Sequence, residues 1–401
     1  MSRESIQRVQ ALRARLANLA TRSAEFWKRC GPDPVNGGFY GTLDDAGTPT
    51  LPRDKTLIQQ VRHLYSWSIW YEHKEPTASV RALADDLYRF VTQNYYDPAS
   101  GEYVYAVDET GRVVENSRIL YAQAFAIYGF AEYGRVFEQK DARARALALF
   151  DRINARAHDA DHGGYLQLND AKWLLPGALK DTNTHIHLME AFTTLYVATG
   201  EARVEERLAE LVQLITGKLL QPEGYLHKDF AADWTPLGPK RVSYGHDLET
   251  YWLLDMAARA LGRAEDPAIL GPARRMGVFS ARRGYDATQG GYFEEGPPDG
   301  APDRLEKVWW AQAEAIPALF RLFEQTADSD WLARMNATLD FIERSLLTPA
   351  GEWYWGVMPD GSLGPRGSNL GEAWKASYHV LRALVFTETW MSSWLTERES
   401  R

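Results

Sequence analysis

The residues of this sequence that can do chemistry are a few histidines, a glutamate and a solitary arginine, each set in a helical pattern. His246 and Glu249 lie in SYGHDLETYWLL (243–254), three residues apart and so on one face of a helix. Ser243 is placed to cap that helix, and Asp247 and Glu249 fall early, where the helix dipole favours carboxylates. Leu248, Tyr251, Trp252 and Leu254 give it an apolar surface for packing. A histidine and a carboxylate pointing the same way from a rigid element suit proton transfer. On this motif alone, a buried histidine paired with a structural glutamate is the preferred reading. The rest of the chain tips the balance towards chemistry.

His379 lies in EAWKASYHVLRAL, at the start of or within a late helix, five residues after Trp374. By itself it fits a core histidine bonded to a carbonyl as well as it fits a catalytic group. Arg62, in LIQQVRHLYSWSIW, sits alone on an apolar helix. A buried arginine needs an anionic or polar partner, so it is either half of a structural ion pair or an oxyanion stabiliser. The pair His185 and His187 in NTHIHLMEAF suggests a metal, but helical residues two apart diverge by about 200°. Asn183 and His187, four apart, share a face; both are assigned to a cleft, and His185 to structure. No metal site is expected. Trp309 and Trp310 in KVWWAQAEA are tandem tryptophans, one of which can face a cleft. His63, His73, His158, His162 and His227 are given structural or solvent roles.

The set that remains is Arg62, Asn183, His187, His246, Glu249, Trp310, Trp374 and His379. No serine elbow, P-loop or GxGxxG unit accompanies it, so nucleotide and acyl-transfer chemistry have no motif support. Histidines, an arginine and aromatic platforms suit proton abstraction beside a carbonyl. A base near neutral pKa takes the proton, and a fixed cation stabilises the enediolate oxygen.

The elements that must position these groups are helices. Apolar residues at i, i+3, i+4 spacing mark Ile6–Trp27, Thr56–Tyr71, Ser79–Asn94, Ile119–Glu138, Ala142–Ala157, His185–Thr199, Val204–Leu219, Ser243–Leu261, Lys307–Glu324, Asp330–Leu347 and Gly371–Trp394. A shorter stretch is expected around Ala273–Ala281, after Pro267, Gly271 and Pro272. Between helices a Gly–aromatic element recurs: GGFY, GEYVY, GGYLQL, GYLHKDF, GGYFEE and GEWYWGV, starting at 37, 101, 163, 224, 290 and 351. The spacings are 64, 62, 61, 66 and 61 residues, each interval holding a turn or hairpin and two helices. Six helix pairs close into an all-α (α/α)6 barrel, one domain over residues 1–401, with the hairpins collected at one mouth.

Composition narrows the class. The 401 residues carry a net charge of −9 and no basic run, which argues against nucleic acid. One cysteine, Cys30, excludes an internal disulfide and a cysteine-based zinc cluster. The N-terminus lacks a signal-peptide core and no run suits a bilayer span, so a cytoplasmic protein is expected. With 14 Trp, 20 Tyr and 15 Phe, the chain can furnish both a large core and a carbohydrate cleft.

The motifs QVRHLYSWS (60–68), YAQAFAIYGFAEY (121–133), NTHIHLMEAFTTLY (183–196), SYGHDLETYWLL (243–254), KVWWAQAEA (307–315), GEWYWGV (351–357) and WKASYH (374–379) run in order across nearly the whole chain. In them the chain resembles the N-acylglucosamine 2-epimerase superfamily, most closely its cellobiose and mannose 2-epimerase branch, whose members are (α/α)6 barrels. The resemblance implies that His246 and His379 are the acid/base groups on opposite faces of C2 of an open-chain sugar. It implies that His187 and Glu249 assist ring opening and closing, and that Arg62 holds the C1 and C2 oxygens. Asn183, Trp310, Trp374 and Tyr65 would contact the sugar, with no metal, nicotinamide or nucleotide. Three departures concern substrate: Val380 replaces an asparagine, Tyr65 a tryptophan, and the stretch ALKDT (178–182) is short. They favour free mannose and glucose, with cellobiose-type β-1,4-disaccharides close behind, in a monomer or homodimer.

Aldose–ketose isomerisation is the rival within the superfamily, since the same enediolate can be reprotonated at C1. An (α/α)6 glycoside hydrolase would need two opposed carboxylates, for which Glu249 could recruit only Glu314 or Asp247. A carbohydrate-binding scaffold would leave His246, His379 and Arg62 without a purpose.

Overall fold

The computed structural model describes residues 3–167 and 177–399. Its twelve helices among the described residues are α1 (Arg3–Cys30), α2 (Leu57–His73), α3 (Ala78–Asn94), α4 (Leu120–Val136), α5 (Lys140–Ala157), α6 (Thr182–Thr199), α7 (Ala202–Leu214), α8 (Tyr244–Ala260), α9 (Pro267–Arg283), α10 (Trp309–Thr326), α11 (Asp330–Phe341) and α12 (Tyr378–Glu399). Single π-turns extend α7 through Ile215–Leu219 and α11 through Ile342–Leu346.

Burial sorts these helices into two rings. Every residue of α2 from Leu57 to Trp70 is buried, and α4 is buried all round from Leu120 to Gly134. By contrast α3 buries one stripe, Val80, Ala84, Leu87, Phe90 and Val91. The inner ring is α2, α4, α6, α8, α10 and α12, each packed on the next, and α12 closes back on α2. The outer ring is α3, α5, α7, α9 and α11, with α1 packed on α12. The fold is therefore the expected (α/α)6 barrel, its sixth pair made by the last helix and the first. No described helix is long and apolar enough to cross a membrane.

The Gly–aromatic elements are fastened to the inner ring by one repeated device. Gln60 accepts the Phe39 N–H at 2.8 Å and donates to the Phe39 carbonyl at 3.0 Å. Gln123 does the same to Tyr103, and Gln312 to Tyr292. His185 accepts the Tyr165 N–H at 2.9 Å, and Asp247 the Leu226 N–H at 3.2 Å. The second glycine makes room: a Cβ on Gly291, at φ +78°, would lie 2.8 Å from Gln312 Oε1. Buried lysines repeat as well, Lys55 bonding Asp33 and Gly37, Lys180 bonding Asp159 and Gly163, and Lys307 bonding Asp286 and Gly290. Two-residue strands add to this. Lys55–Thr56 pairs with Ala106–Val107, Lys180–Asp181 with Asp229–Phe230, Val242–Ser243 with Glu295–Gly296, and Lys307–Val308 with Gly356–Val357. Hairpins and inner-helix N-termini therefore share one mouth.

Some expected boundaries move. α9 begins at Pro267, not near Ala273, because Asp266 caps it and a proline at the first helical position loses no hydrogen bond. α12 begins at Tyr378, not Gly371, because residues 371–377 form a loop tied to Leu43 and to Thr56. The third Gly–aromatic element ends at Leu168, which lies outside the described residues.

Candidate active site

All six inner helices send a side chain from their first two turns into one open cavity of about 210 Å³. Arg62 comes from α2, Tyr121 from α4, Asn183 and His187 from α6, His246 and Glu249 from α8, Trp309 and Trp310 from α10, and His379 from α12. Trp374, Trp355 and Arg366 come from the loops above. A second cavity of about 180 Å³ adjoins it, sharing Asn183 and His246 and bounded also by Thr182, Lys228 and Ser243.

Arg62 is 3% exposed and has no carboxylate partner among the described residues. Its guanidinium donates to the Trp374 carbonyl and the Tyr121 hydroxyl, both at 2.8 Å, and lies 4.3 Å from the Phe125 ring centre. Its Nε has no hydrogen-bond partner among the described residues. Of the two roles open to it, the structural ion pair is ruled out. A buried cation held by neutral groups at a cavity wall is suited to a developing anion.

Both His246 and His379 pack against Trp310, with ring centres 4.6 and 5.8 Å from it. Gly245 permits this, since a Cβ there would lie 2.5 Å from the Trp310 ring. The two imidazoles are supported differently. His246 Nδ1 is 2.7 Å from Ser243 Oγ, so the hydroxyl expected to cap α8 is used on the histidine instead. His379 Nδ1 is 2.7 Å from Glu314 Oε1. His187 Nδ1 is 2.9 Å from Glu190 Oε2. Burial holds His246 down at about 3, with His187 and Lys228 adding. Burial also lowers His379, helped by Arg62 and Arg382. Both rest neutral and can act as bases.

Beneath the histidines lies a network that the sequence patterns do not reveal. Arg382 is fully buried and donates to Glu190, to Glu249 at 2.5 Å and to Glu314 at 2.6 Å, while Tyr378 donates to Glu190. Burial pushes Glu190 up, but Arg382, His187 and Tyr378 bring it down to about 2. Glu314 is driven well above the usual carboxyl range by burial, with Glu249 adding to the effect and Arg382 opposing it. Glu249, Glu314 and His379 lie close enough to hold an ion, but the cation among them is Arg382, whose charge repels a divalent metal. Glu249 Oε2 and Asn183 Oδ1 are buried without a hydrogen-bond partner among the described residues, which suits both to substrate hydroxyls.

Other expected residues lie elsewhere. Tyr65 does not line the cavity: it is 2% exposed and stacks on Tyr128 with ring centres 3.9 Å apart. Val380 is fully buried and, like Tyr65, lines neither cavity. His185 is structural as expected, its Nδ1–H donating to the Asp181 carbonyl at 2.6 Å. Asp247 takes the place that glutamine holds in other repeats, and burial pushes it up to about 8. It serves Leu226 and Ser280 rather than the catalytic cluster. Tyr121 and Trp355 lie within the motifs quoted above, but only the structure puts them on the cavity wall. Arg382 and Glu190 carry the same signal as Arg62, a charge alone in an apolar helix.

The N-acylglucosamine 2-epimerase family model matches residues 38–383. A protein of Bacteroides fragilis named cellobiose 2-epimerase is 32% identical over 386 residues, covering 92% of this chain and 96% of the relative. A Thermobifida fusca protein named D-mannose isomerase is 26% identical, over 86% of this chain and 87% of its own. The solved cellobiose 2-epimerase of Spirochaeta thermophila superposes with a TM-score of 0.87 at 30% identity, over 96% and 98% of the two chains. The chain belongs to the N-acylglucosamine 2-epimerase family of carbohydrate epimerases and isomerases.

Proposed function

We propose that the enzyme inverts C2 of a reducing-end aldose by deprotonation and reprotonation through a cis-enediolate. The observation that carries this is two neutral imidazoles, His246 and His379, on a cavity whose one uncompensated cation among the described residues is Arg62. One imidazole takes the C2 proton, Arg62 holds the oxyanion, and the other face is reprotonated. His187, backed by Glu190, and Glu249, with its unpartnered oxygen, serve ring opening and closing. Asn183 bonds a sugar hydroxyl, and Trp310 and Trp374 offer flat surfaces to the ring.

For substrate, cellobiose-type β-1,4-disaccharides come before free mannose and glucose. The adjoining cavity beyond Asn183 and His246 offers room for a second sugar, and Tyr65 and Val380, which favoured a monosaccharide, lie behind the wall. The relatives named cellobiose 2-epimerase add to this preference. In this reading the chain is one cytoplasmic catalytic domain, monomeric or homodimeric, working without metal or nucleotide.

Proton NMR of cellobiose and of D-mannose, each incubated with the protein in D2O, tests it. Deuterium at C2 with glucosyl-mannose as product is expected from cellobiose. Glucose from mannose alone would move the substrate to the free sugar. Fructose as the main product from mannose would make the enzyme an isomerase, and no exchange with either sugar would overturn the proposal.

A further inference from the structure

We infer that Arg382 is a positioning residue for one half of the acid/base pair, holding Glu314 where it and His379 share a single proton. The inference rests on the epimerase reading and extends it to how the proton is stored. Three buried carboxylates, Glu190, Glu249 and Glu314, surround one guanidinium. With all three ionised the cluster would hold two uncompensated negative charges away from water, so a proton belongs in it. Glu314 Oε1 and His379 Nδ1, 2.7 Å apart, are the pair that can pass that proton towards the cavity. Trp252 donates to the other Glu314 oxygen at 3.1 Å, which fixes the carboxyl plane. Glu249 (3.9 Å from His379 Nδ1), Glu190, Arg382, Arg62, His187, His246 and Tyr378, whose ring centre is 4.6 Å from that of His379, are the other charged or titratable groups set against this pair among the described residues.

The sharing gives the His379 side two neutral-imidazole forms. In one, Glu314 carries the proton and donates to Nδ1, while Nε2–H is an acid. That proton passes to C2 of the enediolate, a C–H bond forms, and the Glu314 proton moves to Nδ1. Glu314 is left as a carboxylate paired with Arg382, and Nε2 becomes a base. On the other face neutral His246 takes the C2 proton and becomes imidazolium, so net charge is unchanged. The reverse epimerisation starts from this second form, and a further turnover in the same direction follows once the His246 proton returns through water to the His379–Glu314 pair. His379 never has to store a positive charge between two arginines. His246, backed among the described residues by a serine hydroxyl and no carboxyl, has no such store there.

The two faces then differ in a measurable way. Each epimer presents its C2 proton to one histidine, so initial C2–H wash-out in D2O, measured separately for the two epimers of one substrate, reads each side. His246→Ala and His379→Ala assign the faces. In Arg382→Lys a point charge cannot serve three carboxylates at once. Wash-out from the His379 face should fall about 10²-fold, as expected for a misplaced base, and its acid limb should move to higher pH because the Glu314 carboxylate loses a donor. Wash-out from the His246 face should fall far less, with its limb unmoved. Equal loss on both faces with unmoved limbs, in a variant with wild-type circular dichroism, would reduce Arg382 to a structural role and overturn the inference. Should Arg382→Lys fail to fold, Glu314→Gln decides, since an amide cannot carry the shared proton: the same one-sided loss supports the inference and a symmetric one sinks it. Absence of exchange in the wild type would instead refute the epimerase reading.

Discussion

Arg62→Ala separates catalysis from binding at this site. Among the described residues the side chain makes two hydrogen bonds, both to neutral groups, and lies over Phe125 and Tyr378 without an ion pair. Its removal therefore leaves no buried carboxylate stranded. It takes one donor from the Trp374 carbonyl and one from the Tyr121 hydroxyl, each worth about 1 kcal/mol where cavity water can replace it. The fold should survive with a small loss of stability. If the guanidinium meets charge that appears only in the enediolate, kcat should fall about 10²- to 10³-fold, or about 3–4 kcal/mol of barrier, with KM little changed. Arg62→Lys should recover part of this, since it keeps the charge but loses the fork. Initial rates of epimer formation over a range of substrate concentration, with thermal melts of each variant, are the assay. A variant that keeps kcat within about threefold and raises only KM would refute the assignment, because uniform binding does not stabilise a transition state.

Other expectations follow from the same geometry. His246 is held down at about 3, so its base form persists in acid; wash-out of the epimer facing it should have an acid limb below the ordinary histidine value of about 6.5, and a limb above 7 would contradict this. Lys307 is buried and bonded to Asp286 at 2.6 Å and to the Gly290 carbonyl, so Lys307→Met should cost about 3–5 kcal/mol in urea unfolding; a loss under 1 kcal/mol would mean the clip is dispensable. Tyr65→Phe removes a hydroxyl behind the cavity wall and should leave KM within about twofold for either sugar, whereas a large KM change would restore Tyr65 to the binding site. Activity should survive exhaustive dialysis against EDTA, because Arg382 already occupies the acidic cluster; loss restored by a divalent ion would refute that.

How far the sequence could be read depends on which interactions leave a periodic trace. The five spacings between the Gly–aromatic elements do, because the turns repeat the same backbone problem: left-handed glycines, a following aromatic and, in the first five turns, an inner-helix side chain that accepts a backbone N–H of the turn. That was enough to count the helix pairs and close the ring. It did not show that the sixth pair is completed by α1, since a partner at the far end of the chain leaves no local pattern. His246, His379, Arg62, Asn183 and His187 were legible because each breaks an apolar or helical pattern with a group that needs a partner. Arg382 and Glu190 break it in the same way, yet their partners lie on other helices, and a sequence read one segment at a time does not join them. Tyr65 fails for the opposite reason. It stands in the QVRHLYSWS motif and was expected at the sugar, but it lies three residues from Arg62 on a helix buried all round from Leu57 to Trp70. On such a helix nearness in sequence to a catalytic residue says little about facing the cavity: Arg62 reaches the cavity wall, while Tyr65 packs against Tyr128 and Tyr378 in the layer behind it. On the proposed function, substrate choice falls to loop residues on the two cavities such as Trp355, Arg366 and Lys228, which carry no helical periodicity.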